Sequence, residues 1–206
     1  MEIRLTANAG VLIKIDGLSI LLDGVCETTE NYLGTPDDIR GELETNFPDA
    51  VGITHRHSDH YDDRYATIYK NTTLRPILGS ECSRFEVGKV KFSAVSTRHL
   101  GKSNEEHYSF IIEGSRRIFF MGDASPSELK KLLEFGVPDI IIVPFAYLNT
   151  DAALKMTKTA NAKDIILVHM PDRNRDPYQI WEAVETTIKY EKILYFTKIG
   201  DTITLQ

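Results

Sequence analysis

The sequence predicts a protein that mixes strands and helices, of the α/β or α+β class, and three observations carry this. The first half alternates apolar and polar residues in short runs, the period of half-buried strands. The second half sets continuous apolar runs, such as Ile140-Ile141-Ile142-Val143, against segments with helical start signals. Hydrophobic residues make up 42% and charged residues 26% of the chain, the balance of a folded globular protein.

Taken in order, strands are expected near 2–6, 10–15 and 18–23, where alternation implies hairpins, and a loop rich in Gly, Thr and Asn follows. Pro36-Asp37-Asp38 puts proline at an early helical position and starts a helix to about Leu43. A strand at 50–54 comes next, then strands near 90–95, 108–113 and 117–121. Ser125-Pro126-Ser127-Glu128 has the cap and first-turn chemistry of a helix to about Phe135, ahead of the buried strand at 140–143. A helix over about 150–160 precedes a strand at 164–168, Asp176-Pro177 opens a longer helix to about Tyr190, and two short strands finish the chain. With 206 residues and no repeat or low-complexity tract, residues 1–206 are expected to form one domain.

Chemistry concentrates in one place. The chain has six histidines, and His55, His57 and His60 lie with Asp59 just after the apolar run Ala50-Val51-Gly52-Ile53. Imidazole and carboxylate are ligands of divalent zinc, manganese and iron, and placing them at the end of a rigid strand lowers the entropy cost of assembling a coordination sphere. His55 and His57 project to one side of extended backbone while Asp59 and His60 fall on the following turn, so two adjacent metals suit the segment better than one. The bland alternative is a polar surface tract that binds metal without purpose. Against it, His99, Asp123 and His169 each follow an apolar run in the same strand-then-ligand manner, with Gly122 permitting a sharp turn before Asp123.

These residues resemble a known family. His55, His57, Asp59 and His60 reproduce the HxHxDH signature of the metallo-β-lactamase-fold hydrolases, and His99, Asp123 and His169 stand in that family's order for the remaining ligands. The opening Ala7-Asn8-Ala9-Gly10 and the later Ile20-Leu21-Leu22-Asp23 are similar to its lactonase-like and ribonuclease Z-like branches, although Asn8 stands where many relatives carry histidine and Gly24 where proline often follows. The resemblance implies an α+β, four-layer αββα sandwich. It also implies that His55, His57 and His99 hold one metal, that Asp59, His60 and His169 hold a second, and that Asp123 bridges them. The cofactors so implied are two divalent metal ions, zinc first, with manganese or iron as alternatives. The activity implied is hydrolysis of a small, anionic or neutral ester, lactone or phosphoester by a metal-bridging hydroxide, with Asp59 and Asp123 as the catalytic carboxylates.

The competing readings are a ribonuclease Z-like phosphodiesterase and a non-catalytic metal-binding or sensing module. A net charge of −6 with no basic stripe disfavours nucleic acid. An oxygen-reducing diiron role is disfavoured because His57 is retained where such relatives carry glutamate. His107 is the histidine left over, either a pocket residue able to protonate a leaving group or a hydrogen-bonded structural residue. Tyr147 and Asn149 are candidate pocket walls, and Arg173, beside Arg175 in a polar loop, is a candidate for an anionic substrate group or simply a solvated cation. Cys26 and Cys82 are too few for a disulfide framework and read as free thiols, Cys26 being near enough to a strand end to line the pocket. No apolar run approaches the roughly 18 residues that span a bilayer. The first residues read as a strand and not a signal peptide, so a cytoplasmic location and a small-molecule partner are expected.

Overall fold

The structure, a computed structural model, describes residues 1–101, 104–191 and 193–206. Two sheets face each other. The first runs β13-β1-β2-β3-β4-β5, built from β1 (Glu2–Leu5), β2 (Val11–Ile15), β3 (Leu18–Leu22), β4 (Ala50–Gly52), β5 (Ile77–Leu78) and β13 (Thr202–Thr204). The second runs β12-β11-β10-β9-β8-β7-β6, from β6 (Arg84–Val87), β7 (Val90–Ser96), β8 (Tyr108–Glu113), β9 (Arg117–Phe120), β10 (Ile140–Pro144), β11 (Asp164–Val168) and β12 (Leu194–Tyr195). Helices α1 (Asp37–Thr45) and α2 (Asp63–Thr73) cover the first sheet, while α3 (Leu129–Leu133), α4 (Asp151–Lys158) and α5 (Ile180–Glu191) belong to the second half.

Three apolar layers hold this αββα stack together. The inner faces of the sheets meet through Ile3, Ile13, Ile20 and Leu22 on one side and Phe92, Phe110, Phe120, Ile140 and Ile142 on the other. Because strand side chains alternate, the outer faces are apolar too. Leu12, Leu21 and Val51 receive Ile39, Leu43, Tyr65 and Tyr69 from α1 and α2, and Ile111, Phe119, Ile141 and Leu167 receive Leu129, Leu132, Trp181, Val184 and Ile188 from α3 and α5. Burial on both faces explains why β10 reads as an unbroken apolar run.

The expected elements are present, with three differences. Helix α2 and the short strands β5 and β6 fall where no element was expected. The last long helix begins at Ile180, not at Asp176-Pro177, because the Asp176 carboxylate accepts the N–H groups of Ile180 and Trp181 at 2.9 and 2.8 Å and so caps the helix from outside it. The helix expected from Ser125 opens with a 3-10 turn over Pro126–Glu128. Among the described residues, no helix is long and apolar enough to cross a membrane.

Strand direction positions the site. β3, β4 and β5 are mutually parallel, as are β9, β10, β11 and β12. Their carboxyl ends therefore open on one edge of the sandwich, and the segments that leave them carry the histidines and aspartates.

Candidate metal centre

The residues following β3, β4, β7, β9 and β11 converge at that edge. Three groups of donor atoms, each within 4.8 Å of one another, occur among the described residues: His55, His57 and His99; His55, His60 and Asp123; and Asp59, His60 and His169. All seven ligand candidates are thus brought together. Asp123 Oδ2 lies 3.5 Å from His60 Nε2, 3.7 Å from His99 Nε2 and 3.4 Å from His169 Nε2, between the other two groups.

The hydrogen bonds behind the rings assign their tautomers. Asp23, a pure acceptor, takes the Thr54 hydroxyl proton at 2.6 Å, so Thr54 Oγ1 can only accept from His55 Nδ1 at 3.0 Å. Asp23 also accepts from His60 Nδ1 at 2.9 Å and from the Thr54 amide at 2.8 Å. His99 Nδ1 donates to the Leu100 carbonyl at 2.7 Å. In its neutral form each of these rings therefore turns a bare Nε2 towards the cluster. The Nε2 atoms of His60 and His169 and Oδ1 of Asp123 are buried without a hydrogen-bond partner, and His55 Nε2 is 2.9 Å from His57 Nδ1 and 3.3 Å from His99 Nε2.

Lone pairs so arranged repel unless a cation lies among them. Donors on a tetrahedral metal with nitrogen and oxygen bonds of about 2.0–2.1 Å are separated by about 3.4 Å, close to the 3.3–3.7 Å found for His55–His99 and for the three histidines around Asp123. The residues present fit divalent metal ions.

Electrostatics agree. Burial and then the neighbouring His60 push the His55 imidazole below its ordinary range, leaving it neutral. Burial works against charge on His60 and Asp123 as well, yet Asp123 and Asp23 hold His60 well above the imidazole value, and His169 and His60 hold Asp123 well below the carboxylate range. A carboxylate buried here requires positive charge beside it, from protons or from a cation. Backbone strain collects here as well: Asp23 and His169 adopt positive φ of 48° and 57°, the His169 amide being fixed by the Asn8 carbonyl at 2.7 Å. Gly122, φ 53°, turns the chain into Asp123 where an added Cβ would meet Thr54 Cγ2 at 2.6 Å.

The other residues singled out from the sequence lie around this centre or away from it. His107 is 1% exposed, its Nδ1 2.8 Å from Thr97 Oγ1 and its Nε2 accepting the Asp123 amide at 3.0 Å. Burial pushes its pKa down to about 3, and its neutral ring holds the Asp123 backbone in place. Tyr147 is fully buried in the outer layer of the second sheet, its hydroxyl donating to the Ser125 carbonyl, and Asn149 is exposed. Arg173 stacks its guanidinium 3.9 Å above Trp181 and lines a cavity of about 260 Å³ with Asn8, Leu33 and Met170. Cys26 is buried, faces Asn8 Oδ1 at 3.7 Å, and has its thiol pushed up to about 12 by burial and by Asp59 and Asp23. Three contributors escaped the sequence reading as site residues: Asp23 and Thr54, which orient the rings, and Tyr32, whose ring meets His169 edge-on at 4.5 Å. Thr54 directly precedes His55, a signal available in the sequence; Asp23 reaches the site only through the pairing of β3 with β4, and nothing local marks Tyr32.

Comparison with known proteins agrees with this geometry. A family model described as a β-lactamase superfamily domain matches residues 2–169. Among solved structures, an isothiocyanate hydrolase from Delia radicum gut bacteria superposes with a TM-score of 0.71 at 18% identity, covering 100% of this chain and 99% of that one. A possible metal-dependent hydrolase from Veillonella parvula gives 0.69 at 19% identity over 99% and 98% of the two chains. A metallo-β-lactamase fold protein from Bacillus subtilis gives 0.64 at 14% identity over 98% of each. No curated protein sequence matches the chain.

Proposed function

The chain belongs to the β-lactamase superfamily, and from that membership we propose that it is a dinuclear metal-dependent hydrolase of small electrophilic molecules, residues 1–206 forming one hydrolase domain. The observation that carries the reading is the pair of donor sets, His55 with His57 and His99, and His60 with Asp59 and His169, each within reach of Asp123. Zinc is the first expectation for both, since neutral imidazole and carboxylate suit it, and manganese and iron accept the same donors. When bound, the ions supply Lewis acidity, lowering the pKa of water and polarising the oxygen of the scissile bond.

The protein's own groups position the reactants. Asp59 Oδ2 stands 3.5 Å from His169 Nε2, with its side chain 15% exposed, so it can orient an attacking water and take up a proton. Tyr32 and Phe145 place their rings 4.5 and 6.3 Å from that of His169, aromatic surface beside the cluster that favours a substrate with an apolar portion. Carboxylic esters, lactones and phosphoesters meet this description, and the likeness to an isothiocyanate hydrolase adds a heterocumulene carbon to the bonds worth testing.

The test is a hydrolysis screen of zinc- or manganese-loaded protein against lactones, simple esters, phosphomonoesters, phosphodiesters, isothiocyanates and a structured RNA. Turnover of a small molecule is expected and RNA should be spared, because a net charge of −6 opposes binding a polyanion. Asp59→Ala and Asp123→Ala should each lose at least about a hundredfold as the attacking water loses its position. Near wild-type turnover by the Asp123 variant would remove that residue from the reaction. Inactivity on every compound at full metal occupancy would favour a metal-binding or sensing module instead.

A further inference from the structure

Four of the clustered rings have a partner behind them, and one of the four partners differs in being a carboxylate partly exposed to solvent. His55 is held by a hydroxyl, His99 by a backbone carbonyl and His60 by Asp23, which is buried and shared with Thr54. His57 has Glu105: Oε2 of that carboxylate lies 2.6 Å from His57 Nε2 and 4.0 Å from His99 Nε2. Neither His57 nor Glu105 is deeply buried, their side chains being 35% and 32% exposed. Glu105 is set in place by its surroundings. Three residues on, Tyr108 opens β8 and donates its amide to the Thr54 carbonyl at 2.9 Å, and the Thr97 amide donates to the His107 carbonyl at 3.0 Å, so this end of the loop is tied both to the segment that delivers His55 and His57 and to the end of β7.

We propose that Glu105 is a positioning residue for His57 and sets the metal affinity of the three-histidine half of the centre. The carboxylate oxygen 2.6 Å from His57 Nε2 is an ion-pair contact, and its negative charge favours the proton of His57 on Nε2, which leaves Nδ1 bare, 2.9 Å from His55 Nε2. That tautomer is the one in which His57 joins His55 and His99. The negative charge on the ring's far side makes Nδ1 a stronger donor. It also stands beside a group whose own residues are all neutral, where Asp123 is shared with the other half and cannot balance a divalent ion alone. Nothing local in the sequence signals this, since Glu105 lies in a polar loop 48 residues beyond His57 and no motif pairs the two.

The inference rests on the dinuclear reading, and the experiment separates the two. Metal-free wild-type protein, Glu105→Gln, Glu105→Ala and Glu105→Asp are each titrated with cobalt(II), followed by its visible absorption, and with zinc(II) in competition with a chromophoric chelator. Wild type should take up two ions. Glu105→Ala should weaken one of them about 10- to 100-fold, the usual effect of removing a partner of a ligating histidine, and change the cobalt spectrum, while the other ion keeps its affinity. Glu105→Gln, which preserves shape and an acceptor but not charge, should fall between wild type and Glu105→Ala, and Glu105→Asp should recover part of the loss through its charge. Two ions bound by Glu105→Ala with wild-type affinities and an unchanged cobalt spectrum would overturn the role of Glu105 and leave the dinuclear reading standing. Wild type that takes up fewer than two ions would overturn both.

Discussion

At the scale of single residues, the candidate centre depends on side chains that stand behind the clustered rings. Asp23 accepts three hydrogen bonds and so determines which nitrogen of His55 and of His60 is bare. His107 does the same for a backbone group, accepting the Asp123 amide while its other nitrogen meets Thr97, whose hydroxyl continues to Ser109 and the Met121 carbonyl. Such a chain is costly to interrupt in a buried place. His107→Leu is expected to destabilise the protein by about 1–3 kcal/mol, the cost of leaving buried polar groups unpaired, read as a lower urea midpoint. Unchanged stability with lost turnover would instead put His107 on the reacting molecule.

At the scale of elements, α2 shows how local rules act where periodicity is weak. Its start is chemically clear: the Asp62 side chain accepts the Tyr65 amide at 2.7 Å and pairs with Arg40 at 2.7 Å. The helix then buries Tyr65, Ala66 and Tyr69 against the first sheet, a narrow stripe easily lost among polar neighbours. It ends at Leu74, which adopts φ 57° and is 87% exposed. A leucine pays for that left-handed backbone and packs against little. Leu74→Gly should therefore stabilise the protein by about 0.5 kcal/mol after the extra freedom of glycine in the unfolded chain is counted, measured as a higher urea midpoint with unchanged far-ultraviolet circular dichroism. A decrease would show that the exposed leucine contributes packing after all.

At the scale of the whole molecule, a buried thiol and a half-buried phenol make the fold sensitive to alkali. Burial raises the Cys26 thiol from 9.0 and the Tyr32 phenol from 10.0, each to about 12, with the charges of Asp59 and Asp123 adding to it in their turn. Below pH 9 both groups keep their protons whether the chain is folded or unfolded, and their contribution to stability is fully present. Between those unfolded values and about 12 the unfolded chain ionises while the folded one does not, so stability is lost as the pH rises. Urea midpoints of the metal-free protein should fall steadily from pH 9 to pH 11. A flat profile would mean that these side chains meet water more freely than their burial implies.

The sequence by itself determined the class of the fold and the identity of the clustered donors. Strand periodicity depends on neighbours two residues apart, and the HxHxDH stretch lies within six residues, so both are legible from local order. The long apolar strands and the turn before Asp123 were legible for the same reason. Which groups stand behind the clustered histidines was decided only by tertiary structure. His55 and His60 owe their tautomers to Asp23, more than thirty positions earlier, through the parallel pairing of β3 with β4. His107 could be read equally as a pocket acid or a structural residue until β8 and β9 paired and brought its Nε2 to the Asp123 amide. Tyr147 read as a pocket candidate because a strand end is where pockets form, yet it is buried in the outer layer, while Arg173 both stacks on Trp181 and lines a cavity with Asn8 and Met170. A hydrogen bond between side chains far apart in sequence leaves no period and no spacing, because it depends on where strands are laid side by side, and that register is set by the burial of both faces of both sheets.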